Sequence, residues 1–303
     1  MTDYHNPVLL YSAVEFLINP RIEEHVIFDG TLGGGGYSEL ICEKISATSK
    51  LISVDKDKNA LEYSKNRLKN WENKISLTYG NFANVKNIVE CFGFSNITGI
   101  VLDLGLSSYQ LNFEDGFSYM KNTELDMRAD KNSSLKAADI LNGYSEKELN
   151  EVFKNYGEIN RAERLSKAIC ASRNKMKIDS TGNFISIIKN EYGFKSNVPV
   201  KFLSKIFQAL RIEVNNELGD LMKVLEEAFN ILVTGGRIVV ISYHSLEDRI
   251  VKNFFRKYYY KTVISGKSLN ILTKKVIKPE YTEVRQNPRA RSAKLRAGEV
   301  MVI

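Results

Sequence analysis

Three aspartates outline the chemistry open to this chain. Asp29 begins the run Asp29-Gly30-Thr31-Leu32-Gly33-Gly34-Gly35-Gly36-Tyr37-Ser38, Asp55 ends the apolar stretch Leu51-Ile52-Ser53-Val54, and Asp103 ends Gly99-Ile100-Val101-Leu102. Glycines after an apolar segment let backbone N–H groups approach a ligand with no Cβ in the way. An acid closing the next apolar segment can accept both hydroxyl protons of a ribose. A fourth polar cluster, Tyr243-His244-Ser245-Leu246-Glu247-Asp248, follows Arg237–Ser242. Within it, Ser245-x-x-Asp248 has capping-box spacing. His244 reads two ways, as a donor to a substrate base or phosphate or as a satisfied structural histidine. Asp103 likewise reads as a ligand contact or as a turn former at a strand end.

Positioning these groups requires a particular order of elements. Strands are expected at 26–29, 51–55, 75–79 and 99–104, with a helical pattern from Asp57 to Asn70 between the second and third. This alternation predicts a parallel sheet wound on both faces by helices. Ligands of such sheets bind beyond the carboxyl ends of the strands, so all three aspartates are expected to line one crevice. The spacing excludes a dinucleotide fingerprint, because Glu39 stands where the last glycine of G-x-G-x-x-G would fall. Asp29-x-x-x-Gly33-x-Gly35 instead resembles the first motif of Rossmann-like methyltransferases, with Thr31 in place of its first glycine. Those enzymes bind S-adenosylmethionine, which carries a ribose and a cationic methionine end but no pyrophosphate. A flexible linker is the weaker alternative, since this run sits between an apolar strand and a helix.

The next strand, Arg237–Ser242, comes more than a crossover's length after Asp103, so a domain-sized insertion is expected between them. Its sequence is helical in period, with a capping box at Ser145-x-x-Glu148, and continues through 161–175, 181–192 and 199–211. A further helix from Glu217 to Leu232 is expected to stop at Gly235-Gly236. The expected division is 1–112 with 211–303 as the cofactor-binding domain, and 113–210 as a helical, substrate-recognising insertion. Three scattered cysteines without a C-x-x-C pair argue against disulfides and zinc, and no metal site is expected. Nothing resembling a signal peptide or a membrane span is visible, which predicts a cytoplasmic protein.

Net charge is +7, but residues 249–303 alone hold 14 Lys or Arg against 3 Glu. Within them Arg285, Arg289, Arg291, Lys294 and Arg296 crowd a segment that Pro288 prevents from forming a regular helix. Cations concentrated at one end predict a polyanionic partner whose phosphates they grip.

Taken in order, HNPVLL at His5, DGTLGGGGYS at Asp29, LDLGLSSYQL at Leu102 and DGFSY at Asp115 resemble the bacterial ribosomal small-subunit methyltransferase H family, the MraW proteins. So do LDMR at Leu125, FQALRIEVNNEL at Phe207, VISYHSLEDRIVK at Val240 and NPRARSAKLR at Asn287. The resemblance implies a Rossmann-like class I methyltransferase with an inserted helical domain, acting on N4 of a cytidine in the decoding centre of small-subunit ribosomal RNA. It implies cofactor contacts by Gly33, Gly35, Gly36, Tyr37, Asp55, Phe82, Asp103 and Gln110, with Phe82 placed for adenine stacking. Tyr37 stands where the family usually has histidine, and Tyr109 where it usually has proline. The cytosine amine is a weak nucleophile, and an acceptor oxygen at Asp103 or at a nearby backbone carbonyl would orient it. The expected partner is the ribosomal RNA or the assembled small subunit, with a homodimer left open. Two rival readings remain: a methyltransferase for a small molecule or protein, and a non-catalytic assembly factor.

Overall fold

A computed structural model describes residues 7–105, 115–261 and 266–303. The chain divides into two compact units, residues 1–107 with 218–303, and residues 108–217.

The first unit opens with helix α1 (Leu10–Leu17), followed by β1 (Val26–Asp29), α2 (Gly36–Lys44), β2 (Lys50–Asp55) and α3 (Lys58–Arg67). Strand β3 (Ile75–Tyr79), helix α4 (Val85–Cys91) and strand β4 (Ile97–Asp103) complete its first half. In the second unit, helices α5 (Ala137–Gly143), α6 (Glu146–Asn155), α7 (Ala162–Arg173), α8 (Thr181–Tyr192) and α9 (Val200–Asn215) follow. The chain then returns through α10 (Glu217–Ile231), β5 (Leu232–Ser242), α11 (Ser245–Lys257), β6 (Lys267–Ile271), α12 (Tyr281–Gln286) and β7 (Lys294–Val302).

The seven strands form one sheet in the order β3-β2-β1-β4-β5-β7-β6. Pairing is parallel from β3 through β5, whereas β7 runs antiparallel to both β5 and β6. Successive residues along the inner strands point to opposite faces. Phe28, Ile100, Leu102, Ile238 and Val240 enter a core shared with Val224 and Phe229 of α10 and Val251 and Phe254 of α11. Ile27, Val101, Val239 and Ile241 enter the other, with Val14 and Leu17 of α1 and Ile41 of α2. Apolar burial on both faces explains why these strands read as continuous hydrophobic runs.

One expectation is corrected here. Gly235 and Gly236 do not stop a helix in a loop: α10 passes directly into β5, and both glycines lie inside that strand, where its pairing with β4 shifts register. The C-terminal basic segment is interrupted at Pro288 as expected and is not one regular helix. It forms α12, a short 3-10 turn at Pro288–Ser292 and then the interior strand β7.

In the second unit, the capping box expected at Ser145 is present: Glu148 N–H donates to Ser145 Oγ at 3.3 Å, and Ser145 N–H donates to Glu148 Oε2 at 2.7 Å. The helices pack around Phe153, Phe184 and Phe207, with ring centroids 6.4 and 5.9 Å apart along that series. The LDMR segment is structural. Arg128 donates to both carboxylate oxygens of Asp126 at 2.7 and 3.0 Å, and Asn215 donates to Met127 O at 2.8 Å.

Candidate active site

Beyond β1 the chain turns at Gly33 and Gly35, whose φ values of +49° and +77° lie where a side chain would be strained. Gly35 then caps α2 in a left-handed conformation, and no side chain caps the first-turn N–H groups of that helix. Helix α3 holds this loop from the side, with Ser64 Oγ donating to Gly33 O at 2.7 Å and Arg67 Nη1 to Gly34 O at 3.1 Å. Sequence reasoning missed both residues, because nothing in the loop's own spacing points to a helix some thirty positions on.

Asp55 meets the loop directly. Its Oδ2 accepts the Gly33 N–H at 2.9 Å and its Oδ1 accepts that of Asp57 at 2.9 Å. Burial pushes its carboxyl up to about 6 despite those two bonds. An ionised carboxylate has roughly four acceptor sites, so ribose hydroxyls can still be accepted.

Asp29 also closes a parallel strand but does not line a crevice, which corrects the expectation of three open carboxylates. It is fully buried, accepting from Thr31 N–H at 3.1 Å and from the Ser38 hydroxyl at 2.7 Å. Burial pushes it, too, up to about 6, opposed by the Ser38 bond and reinforced by the charges of Asp55 and Asp103. This concentration of negative potential suits a ligand that is cationic at two positions, a sulfonium and an ammonium.

Two other cofactor candidates are occupied by the fold. The Tyr37 hydroxyl donates to Val8 O, and the ring is buried, so what this residue retains for a ligand is its backbone N–H in the first turn of α2. A Cβ at Gly36 would stand 2.7 Å from Pro7 Cγ, so on that side the glycine makes room for the chain itself. Phe82 is half-buried in a short turn after β3, and its Cβ is 3.0 Å from where a Gly30 Cβ would sit. The turn is fixed by Asn81, which accepts Ala83 N–H at 2.9 Å and donates to Asp220 Oδ2 at 2.6 Å. Asn81 was not singled out from sequence, though an Asn ahead of a short helical turn is a capping signal. Gln110 and Tyr109 lie outside the described residues.

Asp103 is partly exposed at the end of β4, and its backbone N–H donates to Thr31 Oγ1 at 2.7 Å. Thr31, the departure from the usual motif, thus ties the glycine loop to β4. The Tyr243 hydroxyl donates to Asp103 Oδ1 at 2.8 Å. His244 is the residue that caps α11, one position earlier than the spacing suggested. Its Nδ1 accepts Glu247 N–H at 3.4 Å, while Glu247 Oε2 accepts the N–H groups of Tyr243 and His244 at 2.8 and 3.2 Å. The capping box is therefore His244 with Glu247, not Ser245 with Asp248; it occupies Nδ1 and leaves the buried Nε2 without a hydrogen-bond partner among the described residues, 3.1 Å from Glu247 Oε1.

The basic candidates separate into two groups. Lys294 Nζ and Arg296 Nε both donate to Asp248, at 3.0 and 2.8 Å, which removes them from a free cationic arm. Arg285, Arg289 and Arg291 are exposed. Since Ser242 of β5 is in register with Lys294, the turn carrying Arg289 and Arg291 lies at the same sheet edge as Asp103.

The model of the MraW methylase family matches residues 2–301. The ribosomal RNA small subunit methyltransferase H of Clostridioides difficile is 40% identical over 315 residues, covering 99% of each chain. The protein of that name from Sulfurihydrogenibium sp. is 43% identical over 295 residues, covering 97% of this chain and 98% of its own. Among solved structures, an rRNA methylase from Streptococcus thermophilus matches 97% of this chain and 96% of that one, at 12% identity and a TM-score of 0.46. The glycine loop, the strand-end acids and the match along nearly the whole sequence lead to one conclusion: this chain belongs to the MraW methylase family.

Proposed function

We propose that this protein methylates N4 of a cytidine in the decoding region of 16S ribosomal RNA, using S-adenosylmethionine, in the cytoplasm. The observation that carries the reading is Asp103, held beside the glycine loop through Thr31 while its carboxylate stays at the strand ends. Bound S-adenosylmethionine supplies a methyl group on positively charged sulfur. Asp55 and the Gly33–Tyr37 backbone would hold it at the ribose and methionine ends, and Phe82 would meet the adenine.

Asp103 accepts a hydrogen bond from the cytosine amine, turning its lone pair toward the methyl carbon and offsetting the charge that develops on nitrogen. N4 gains the methyl as the carbon–sulfur bond breaks, leaving a neutral thioether, and the displaced N4 proton passes to solvent. The base must leave its stack to reach this edge. Arg285, Arg289 and Arg291, with the 81% exposed Tyr281 beside them in sequence, supply phosphate contacts and a stacking face for the flanking strand. The helical unit reads the shape of the assembled particle, a task for which the transfer chemistry alone would need no second unit.

The test is to incubate labelled S-adenosylmethionine with assembled small subunits and with naked 16S RNA, then analyse the nucleosides by mass spectrometry. N4-methylcytidine formed faster on the particle is expected. A 5-methylcytidine product would overturn the acceptor assignment, and label in protein or small molecules would overturn the substrate.

A further inference from the structure

We infer that Tyr243 is a positioning residue for methyl transfer: with Thr31 it sets the orientation in which Asp103 meets the acceptor amine. This rests on the reading that Asp103 is the group the amine contacts.

Strand register places Ile241 beside Asp103, so the residue two positions on, Tyr243, projects past the strand end next to the carboxylate. Its hydroxyl donates to Oδ1 at 2.8 Å. The backbone of Asp103 is held independently, through its N–H to Thr31 Oγ1 at 2.7 Å, and Leu104 N–H donates to Ile241 O at 2.9 Å. One contact therefore fixes where Asp103 stands and the other fixes how its carboxylate is turned.

Tyr243 is itself immobilised. Its N–H donates to the buried Glu247 within the α11 capping box. Its ring lies against Gly105, where φ is +101° and an added Cβ would stand 3.2 Å from Tyr243 Cδ2. Burial and the charge of Asp103 hold the phenol well above its ordinary range, so it remains a donor throughout the working pH. His244, the sequence's own candidate at this edge, then acts one step back, capping the helix from which Tyr243 hangs.

An aspartate side chain has two rotatable bonds, and a carboxylate free to swing would present its oxygens over a range of angles. Misplacement of a reacting contact by about 1 Å can lower rate by about 100-fold. The hydroxyl of Tyr243 is thus expected to act on turnover rather than on binding.

Tyr243→Phe keeps the ring against Gly105 and removes only the hydroxyl. The expected result is a kcat lower by about 10- to 100-fold, with KM for S-adenosylmethionine and for small subunits within about twofold and an unchanged thermal midpoint. In an Asp103→Ala background the same substitution is expected to cause no further loss, since the two residues act as a unit. Thr31→Val is expected to lower kcat as well, and Thr31→Ser to restore it by returning the acceptor. A wild-type kcat for Tyr243→Phe, or an undiminished further loss in the Asp103→Ala background, would overturn the inference while leaving Asp103 in place. Near-normal turnover by Asp103→Ala alone would overturn the underlying reading, and with it this one.

Discussion

Acids gather at the ends of β1, β2 and β4, and cations gather in the C-terminal segment, yet each region divides in the same way. Asp29 is sealed behind Ser38 and Thr31, whereas Asp55 faces the glycine loop and Asp103 stays partly exposed. Lys294 and Arg296 close on Asp248, whereas Arg285, Arg289 and Arg291 remain in water. Like charges adjacent in sequence thus have different fates, and internal partners decide which. Charge density nominates a region; only pairing says which members of it can meet a ligand. Pairing with the largely buried Asp248 thus determines availability.

The largest expected effect separates Asp103 from Asp29. Asp103→Ala is expected to lower single-turnover methyl transfer by about 100- to 1,000-fold, the range for removal of one preorganised electrostatic contact, with little change in thermal midpoint. Next comes Asp55. Calorimetry on Asp55→Ala is expected to show S-adenosylmethionine binding weakened roughly 10- to 100-fold, corresponding to charged hydrogen bonds of about 1.5–3 kcal/mol. A folded Asp55→Ala protein with unchanged affinity would dissolve the distinction between the open and sealed acids.

The pH dependence follows from the same carboxylate. Its folded pKa is raised to about 6, so protonation in the folded protein begins at a higher pH than in an unfolded chain. Ribose hydroxyls donate more strongly to the ionised carboxylate than to its protonated form, so affinity is expected to be full above that value and to weaken as pH drops below it. A flat profile between pH 7 and 5 would place the ribose contact elsewhere.

The basic region can be divided by salt dependence. Replacing Arg285, Arg289 and Arg291 with glutamine is expected to reduce the magnitude of the log-log salt slope of RNA binding by roughly 0.7–0.9 per lost phosphate contact. Replacing Lys294 and Arg296 is expected to leave the slope unchanged and to lower the thermal midpoint instead. Equal slopes for the two variants would mean that pairing with Asp248 does not govern availability.

The smallest effect belongs to Asp29→Asn. An asparagine keeps an acceptor for Thr31 and a partner for Ser38 while removing a buried charge whose carboxyl is already raised to about 6. S-adenosylmethionine affinity is expected to stay within about threefold, with a thermal midpoint at neutral pH no lower than that of the parent. A marked loss of affinity would return Asp29 to the ligand site.

Much of this was legible in local spacing. Continuous apolar runs mark β1, β2, β4 and the inner part of β5, because strands buried on both faces need hydrophobic residues at successive positions. The glycine run and the acid at the end of β2 were legible as well, because positive φ and strand-end turns are decided by residues next to one another. Capping spacing was less secure: it located the box at Ser145 but placed the one before α11 a residue late, since His244 is an uncommon cap.

What spacing could not carry was every contact made across the chain. Asp103 receives Thr31 from 72 residues before it and Tyr243 from 140 residues after it. Gly235-Gly236 looks like a helix stop until β5 pairs with β4 on either side of it, and the basic tail gives no sign of a strand until β7 inserts between β5 and β6. The sequence by itself determined the strand–turn–helix rhythm and the identity of the loop, because those depend on neighbouring dihedrals and periodic burial. Tertiary structure alone decided which acid is sealed, which cations are held and which hydroxyl turns Asp103, because each of those depends on a partner brought near only by the closing of the sheet.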